Sequence, residues 1–226
     1  MELDEHAPLT FDFGDGPVPA HRHVNGSGWV ADSAFVEASA QVYGDAWVSG
    51  NAQVYGDARV SGNARVSGDA QVSGNAQVSG DAQVSGDARV SGDAQVYGNA
   101  RVSGNAQVYG NAQVSGDARV YGDARVYGDA LVSGNALVYG DARVSGDALV
   151  SGNARVERPR DFVVIGPLGS RDAYLTWTRS DNCIATGCFR GTAAQFLVAV
   201  AATHGDNEHA RAYRAAAAFL ETLNGG

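Results

Sequence analysis

The chain has 226 residues, with 16 basic side chains against 25 acidic ones, a formal net charge of −9, 30 glycines and two cysteines. That balance argues against a surface that neutralises phosphates, and so against nucleic-acid binding. No apolar run approaches the ~18–20 residues that a membrane-spanning helix needs. The acidic start Met-Glu-Leu-Asp-Glu-His has no signal-peptide pattern, and with so few cysteines the expected setting is cytoplasmic.

Three segments follow in order: residues 1–28, 29–157 and 158–226. In the first, residues 11–19 (Phe-Asp-Phe-Gly-Asp-Gly-Pro-Val-Pro) read as a short strand followed by turns, and His21-Arg22-His23 leads through Asn25-Gly-Ser-Gly into the repeats. This block is expected to cap the amino-terminal end, because an open coil exposes unpaired backbone and bare core. The two imidazoles of His21 and His23 lie on one side of a strand, near Asp15 in sequence. They suit either a partial ligand set or, more simply, an end-cap hydrogen bond.

From Ala34 to Val156 one unit recurs with almost no error, Ala-x-Val-[Ser/Tyr]-Gly-[Asp/Asn]. Valines 36 to 156 mark 21 copies, and Val30 and Val24 extend the phase backwards. Ala and Val alternate with polar residues, the pattern of a strand with one buried face. Gly-Asp or Gly-Asn then cuts the strand, since glycine takes positive φ freely and Asn and Asp tolerate it next best. Three such strands and corners close an 18-residue triangular coil, so the repeats predict an all-β solenoid of about seven coils, roughly 33 Å long at strand spacing. One corner column alternates aspartate and asparagine (45, 63, 81, 99, 117, 135), a pattern that relieves stacked like charge.

This repeat resembles that of the hexapeptide-repeat left-handed parallel β-helix proteins, with valine leading and alanine four residues later. The resemblance implies a left-handed coil. The layout as a whole (Phe-Gly-Asp-Gly, His-Arg-His, Gly-Trp-Val-Ala-Asp, the repeats, then Gly-Cys-Phe-Arg-Gly-Thr and Thr-His-Gly-Asp-Asn-Glu-His) is similar to uncharacterised phage, prophage and bacterial members. The family's acyltransferases use a histidine as general base between subunits of a trimer, under a loop that bulges from the coils. Residues 34–156 hold no His, no Cys and no insertion, so those catalytic positions have no counterpart. The same absence removes the three metal-binding histidines of a γ-class carbonic anhydrase. All five histidines (6, 21, 23, 204 and 209) lie outside the regular coils.

The outward columns carry the remaining signals. Trp29 and Trp47 stand one coil apart, and paired tryptophans on a surface call for a cover. Tyr109 and Tyr127 stack on one face beside Arg125 and Arg143, a surface able to hold an aromatic, a sugar or an anionic group, or simply a solvated ladder. Leu131 and Leu149, with Leu137 on the next face and Tyr121 and Tyr139 near them, form an apolar patch confined to the last coils. It fits either docking of the tail or an oligomer contact.

The tail reads as strands at 162–165, 172–178 and 183–189. A capping-box helix opens at Thr192-Ala-Ala-Gln195, and a second helix, capped by Asp206, runs to about Leu223, giving a small α+β unit of βββαα form. Cys183, Cys188, His204 and His209 are spaced C-x4-C and H-x4-H, which makes zinc the one cofactor to consider. Residues five apart on a strand face opposite sides, so that site requires a bend at Gly187; the alternative is two structural thiols and no cofactor. The expected function is a non-catalytic structural or binding protein, phage- or prophage-derived, with a protein partner or self-association (a trimer by family habit). The alternative is an acyltransferase-like enzyme using histidines outside the coils.

Overall fold

The structure is a computed structural model that describes residues 9–224; His6 lies outside the described residues. Each repeat contributes a two-residue strand made of x and Val, from β4 (Phe35–Val36) to β24 (Arg155–Val156), preceded by β3 (Trp29–Ala31). Every third strand pairs in parallel and in register, so that Val72 lies between Val54 and Val90. Three sheets result, of ten, seven and seven strands. Ala and Val from residue 40 to 156 point inward and are essentially inaccessible, a single continuous core. The corners turn at glycines with φ near +70°, and these stack directly. A Cβ on Gly98 (φ +69°) would sit 3.1 Å from the backbone nitrogen of Gly116 and 3.3 Å from its oxygen, so both conformation and space favour glycine there.

The coil ladder has a direction. In each parallel pair the N–H groups of x and of Ser/Tyr donate to carbonyls one coil further on, as Gln77 does to Ala94 at 2.9 Å and Ser79 to Val96 at 2.9 Å. The Val N–H between them is directed to the coil before, as that of Val42 is to the Asn25 carbonyl at 3.2 Å. Each end of the solenoid therefore presents both kinds of group: the Ala and Val carbonyls with the Val N–H at the amino-terminal end, and the x and Ser/Tyr N–H groups with the x carbonyl at the carboxy-terminal end. Unpaired backbone is costly when covered, so each cap has to meet the groups it covers.

At the amino-terminal end, β1 (Thr10–Asp12) and β2 (Pro17–Arg22) form an antiparallel hairpin, and β2 pairs with β3 to extend the ten-stranded sheet. The hairpin brings Phe11 to stack on Trp29 (4.5 Å between ring centroids) and Phe13 edge-on to Trp47 (5.3 Å). Arg22 and Arg65 lie over the same two indoles. The repeat phase stops at Val30. Val24 is 84% exposed, because the turn through Gly26 (φ +127°) redirects the chain. His23 is the buried residue instead, 5% exposed, and its Nε2 donates to the Ala40 carbonyl at 2.9 Å.

The tail forms a four-stranded antiparallel sheet, β25 (Phe162–Leu168), β26 (Ala173–Thr178), β27 (Cys183–Thr186) and β28 (Phe189–Thr192), with α1 (Ala193–His204) and α2 (Glu208–Asn224) against it. The single strand expected over 183–189 is a hairpin, because Gly187 (φ +51°) turns the chain and residues 189–192 pair back along β27. The order is thus ββββαα. Thr192 and Gln195 form the expected capping box. The second helix is capped by Asn207, whose Oδ1 accepts from Ala210 N at 3.0 Å; Asp206 instead pairs with Arg214 at 2.7 Å. A separate core of Leu175, Trp177, Ile184, Phe196, Tyr213 and Leu220 holds the unit together. Along β25 the alternation of faces divides the work. Phe162 and Val164 lie against the end of the solenoid core, while Val163 and Ile165 lie in the tail core.

Candidate functional site

The tail meets the outward N–H groups of the last coil with side-chain acceptors. Thr176 Oγ1 accepts the Leu149 N–H at 2.8 Å, Ser180 Oγ accepts the Arg155 N–H at 2.7 Å, and Asp161 Oδ2 accepts the N–H groups of Glu157 (3.0 Å) and Arg158 (2.9 Å). Arg190 bridges the two units, reaching the Ser151 carbonyl at 3.1 Å and Asp181 at 2.6 Å. None of these residues stood out in the sequence. Their only signal is that hydroxyl and carboxylate side chains follow the last repeat, a feature shared with any loop.

These contacts fall on β23 (Leu149–Val150) and β24, the last strands of two of the three faces. The third face runs from β4 to β22 (Arg143–Val144), and among the described residues both of its edges are bare. At the carboxy-terminal edge the Arg143 and Ser145 N–H groups meet no acceptor among the described residues. A Cβ on Gly146, the corner beyond, would meet nothing within 4 Å. The equivalent corners on the other faces are covered, Gly140 by Glu157 and Gly152 by the Arg190 guanidinium. At the amino-terminal edge the carbonyls of Ala34 and Val36 likewise receive no donor among the described residues, and Phe35 beside them is 58% exposed. On the other two faces that edge is closed by β2 and by His23 with Gly28, whose N–H donates to Val42 at 2.7 Å. Among the described residues, one face of the prism thus has an open strand edge at each end, and the two edges complement one another in the register its own ladder uses.

The same face carries the aromatic–arginine columns. Tyr109 and Tyr127 stack with ring centroids 5.0 Å apart and planes 1° from parallel, and Arg125 pairs in register with Arg143. Tyr121 and Tyr139 stack similarly, at 5.2 Å, on the ten-stranded face. Leu131 and Leu149 are register partners on the seven-stranded face that ends at β23, whereas Leu137 pairs in register with Arg155 on the ten-stranded one. All three leucines are half-buried. The structure seats the tail on the end of the prism, with Leu149 as its backbone contact.

The four candidate metal ligands are spread out. Cys183 lies at the start of β27 opposite Thr192, and Cys188 lies at the far end of the same hairpin, next to the turn. Among the described residues no group of three or more His, Cys, Asp or Glu side chains is placed to hold a metal ion. Cys183 is buried and Cys188 exposed. Burial pushes the Cys183 thiol above its ordinary value of 9.0, with Asp181 adding to the rise and Arg190 and the Gly191 N–H opposing it. His204 and His209 approach each other, ring centroids 5.9 Å apart, and His204 also lies against Tyr213. His21 Nδ1 pairs with Asp32 at 2.8 Å, so His21 and His23 have separate partners.

Residues 34–148 match the bactofilin family, described as polymer-forming cytoskeletal, and residues 142–158 match the YdcK β-solenoid repeat. No curated protein and no solved structure matches the chain. The bactofilin match spans the regular coils and ends at Ala148, before the tail begins.

Proposed function

The chain belongs to the bactofilin family, and from that premise we propose that it is a non-enzymatic structural protein that self-associates head to tail through the open face of its solenoid. The observation that carries the reading is the complementarity of the two bare edges. Within the chain, Arg125 N donates to Ala142 O and Tyr127 N to Val144 O. The next step of the same ladder would run from Arg143 N and Ser145 N to Ala34 O and Val36 O of a second copy. A contact of this kind is heterologous, so it repeats without closing and builds a filament. Its directionality follows from the parallel register, which continues only where a carboxy-terminal edge meets an amino-terminal one.

The hairpin and the tail cover the other two faces, so the joint uses one face in three and neighbouring axes diverge around them. Phe35, exposed at the joint, adds apolar contact. The rigidity a cytoskeletal element needs is supplied by the continuous Ala–Val core and by corners that admit no side chain at glycine.

Sedimentation velocity over a concentration series, with negative-stain microscopy of the same samples, tests the reading. Wild type is expected to form larger species as concentration rises, with elongated particles. Ser145→Pro removes one edge donor and should leave a monomer with an unchanged far-ultraviolet circular dichroism spectrum. A wild type that stays monomeric throughout, or a folded Ser145→Pro variant that assembles as well as wild type, overturns it.

A further inference from the structure

A cleft of about 220 Å³ opens in the tail, outside the residues matched by either family. Its floor is apolar, formed by Phe189, Phe196 and Val200, and its wall is the ring pair Tyr213 and His204, with ring centroids 5.6 Å apart. Phe196 meets the wall edge to face, 5.5 Å from Tyr213 at 89°, and is tilted against Phe189 on the floor, 5.3 Å away at 56°. Arg171 stands among the lining residues, with no acidic partner among the described residues. No carboxylate lines the cleft, and every other polar side chain there is a hydroxyl, a thiol or an imidazole.

Neither the solenoid nor its capping uses this cleft. The groups that tie the tail to the coils, Thr176, Ser180, Asp161 and Arg190, are all absent from its lining. The volume limits what it can take. An apolar cavity of ~150 Å³ holds a benzene ring, and a water-sized polar group needs ~30 Å³. A single ring with one small polar substituent therefore fills the space. Edge-to-face aromatic walls favour a flat ring. An unpaired guanidinium favours a planar carboxylate, to which it can make two parallel hydrogen bonds.

We propose that this cleft binds a small monocyclic aromatic carboxylate, with the ring on Phe189, Phe196 and Tyr213 and the carboxylate on Arg171. Function of the solenoid as a structural element neither requires nor excludes this site, so the two proposals stand or fall separately. Cys188 shares the cleft and is exposed, which makes its thiol a reporter of occupancy.

The test uses the full chain, with benzoate as probe and benzamide as its neutral isostere. Titration followed by amide chemical shifts should show benzoate shifting residues 186–189, 196–204 and 213, with a Kd on the order of 1 mM or tighter for so small a ligand. Benzamide should bind at least about tenfold more weakly. Arg171→Gln should abolish the difference between the two probes while leaving the dispersed spectrum of a folded tail. Ala199→Met, which fills the cleft, should abolish binding of both. Benzoate should also slow alkylation of Cys188 by iodoacetamide in wild type. Equal binding of benzamide and benzoate to wild type overturns the assignment of Arg171. Absence of benzoate-dependent shifts at concentrations on the order of 10 mM, or shifts confined to residues outside the cleft, overturns the site.

Discussion

Asn99→Asp is a substitution of one atom for another at an exposed corner, yet the structure assigns it a definite cost. Asn99 Nδ2 donates to Asp117 Oδ1 of the next coil at 2.9 Å, and Asp81 occupies the same corner one coil before. The same Asn-to-Asp bond recurs at 51 and 69, 63 and 81, 75 and 93, 105 and 123, and 111 and 129. Aspartate at 99 would lose that bond and stand between two carboxylates, each about one strand spacing (~4.8 Å) away. In water-like surroundings each unit-charge pair at that distance costs about 0.9 kcal/mol, so the two together cost roughly 1.7 kcal/mol. The exposed hydrogen bond adds about 0.5 kcal/mol. A total of about 2 kcal/mol is expected at low ionic strength, read as a lowered urea midpoint at unchanged slope. At 1 M salt the Debye length is only ~3 Å, so most of the repulsion is screened and the loss should fall to about 0.5 kcal/mol. Asn99→Ala, which lacks the charge, should cost only the smaller part under all conditions. A loss equal at low and high salt, or Asn99→Ala as damaging as Asn99→Asp, would refute the charge-relief account of the corner columns.

Further outcomes follow from the same geometry. Val102→Asp places an unpaired carboxylate in a core of only alanine and valine and should cost more than about 4 kcal/mol, seen as loss of soluble, β-rich protein. Thr176→Val leaves the Leu149 N–H without its acceptor and should destabilise the tail by about 1–3 kcal/mol, measured by Trp177 fluorescence in urea, whereas Thr176→Ser should be nearly silent. Iodoacetamide should label Cys188 in the folded protein and Cys183 only after unfolding; labelling of both at one rate would contradict the burial of Cys183. The raised Cys183 value also has a sign. The folded state keeps its proton longer than the unfolded chain, so the thiol's stabilising contribution is full below pH 9.0 and is lost as pH rises beyond it. Wild type should therefore lose stability relative to Cys183→Ala between pH 9.0 and the folded value, and parallel pH curves for the two would count against it.

What a short repeat can specify was legible before any coordinates. A period of six with Ala and Val inward and Gly at every corner leaves one compact solution, because a one-residue slip turns every valine to solvent. The same logic predicted a cover for Trp29 and Trp47, and Phe11 and Phe13 supply it. The capping box at Thr192 was legible too, being a local pattern of two side chains and two N–H groups. Tertiary structure decided everything that joins one segment to another. Val24 has the right spacing but the wrong side of a turn, and His23 takes the interior place because the first coil presents a carbonyl that needs a donor. The strand expected at 183–189 became a hairpin because a glycine in a strand pattern does not reveal whether the chain bends or turns back. Thr176, Ser180 and Asp161 close the far end because the last strands and the chain leaving them hold N–H groups that have no further coil to donate to. That two faces are sealed and one is left open is written nowhere in the period. Twenty-one equivalent units treat all faces alike, and only the points where the chain enters and leaves the coil make them different.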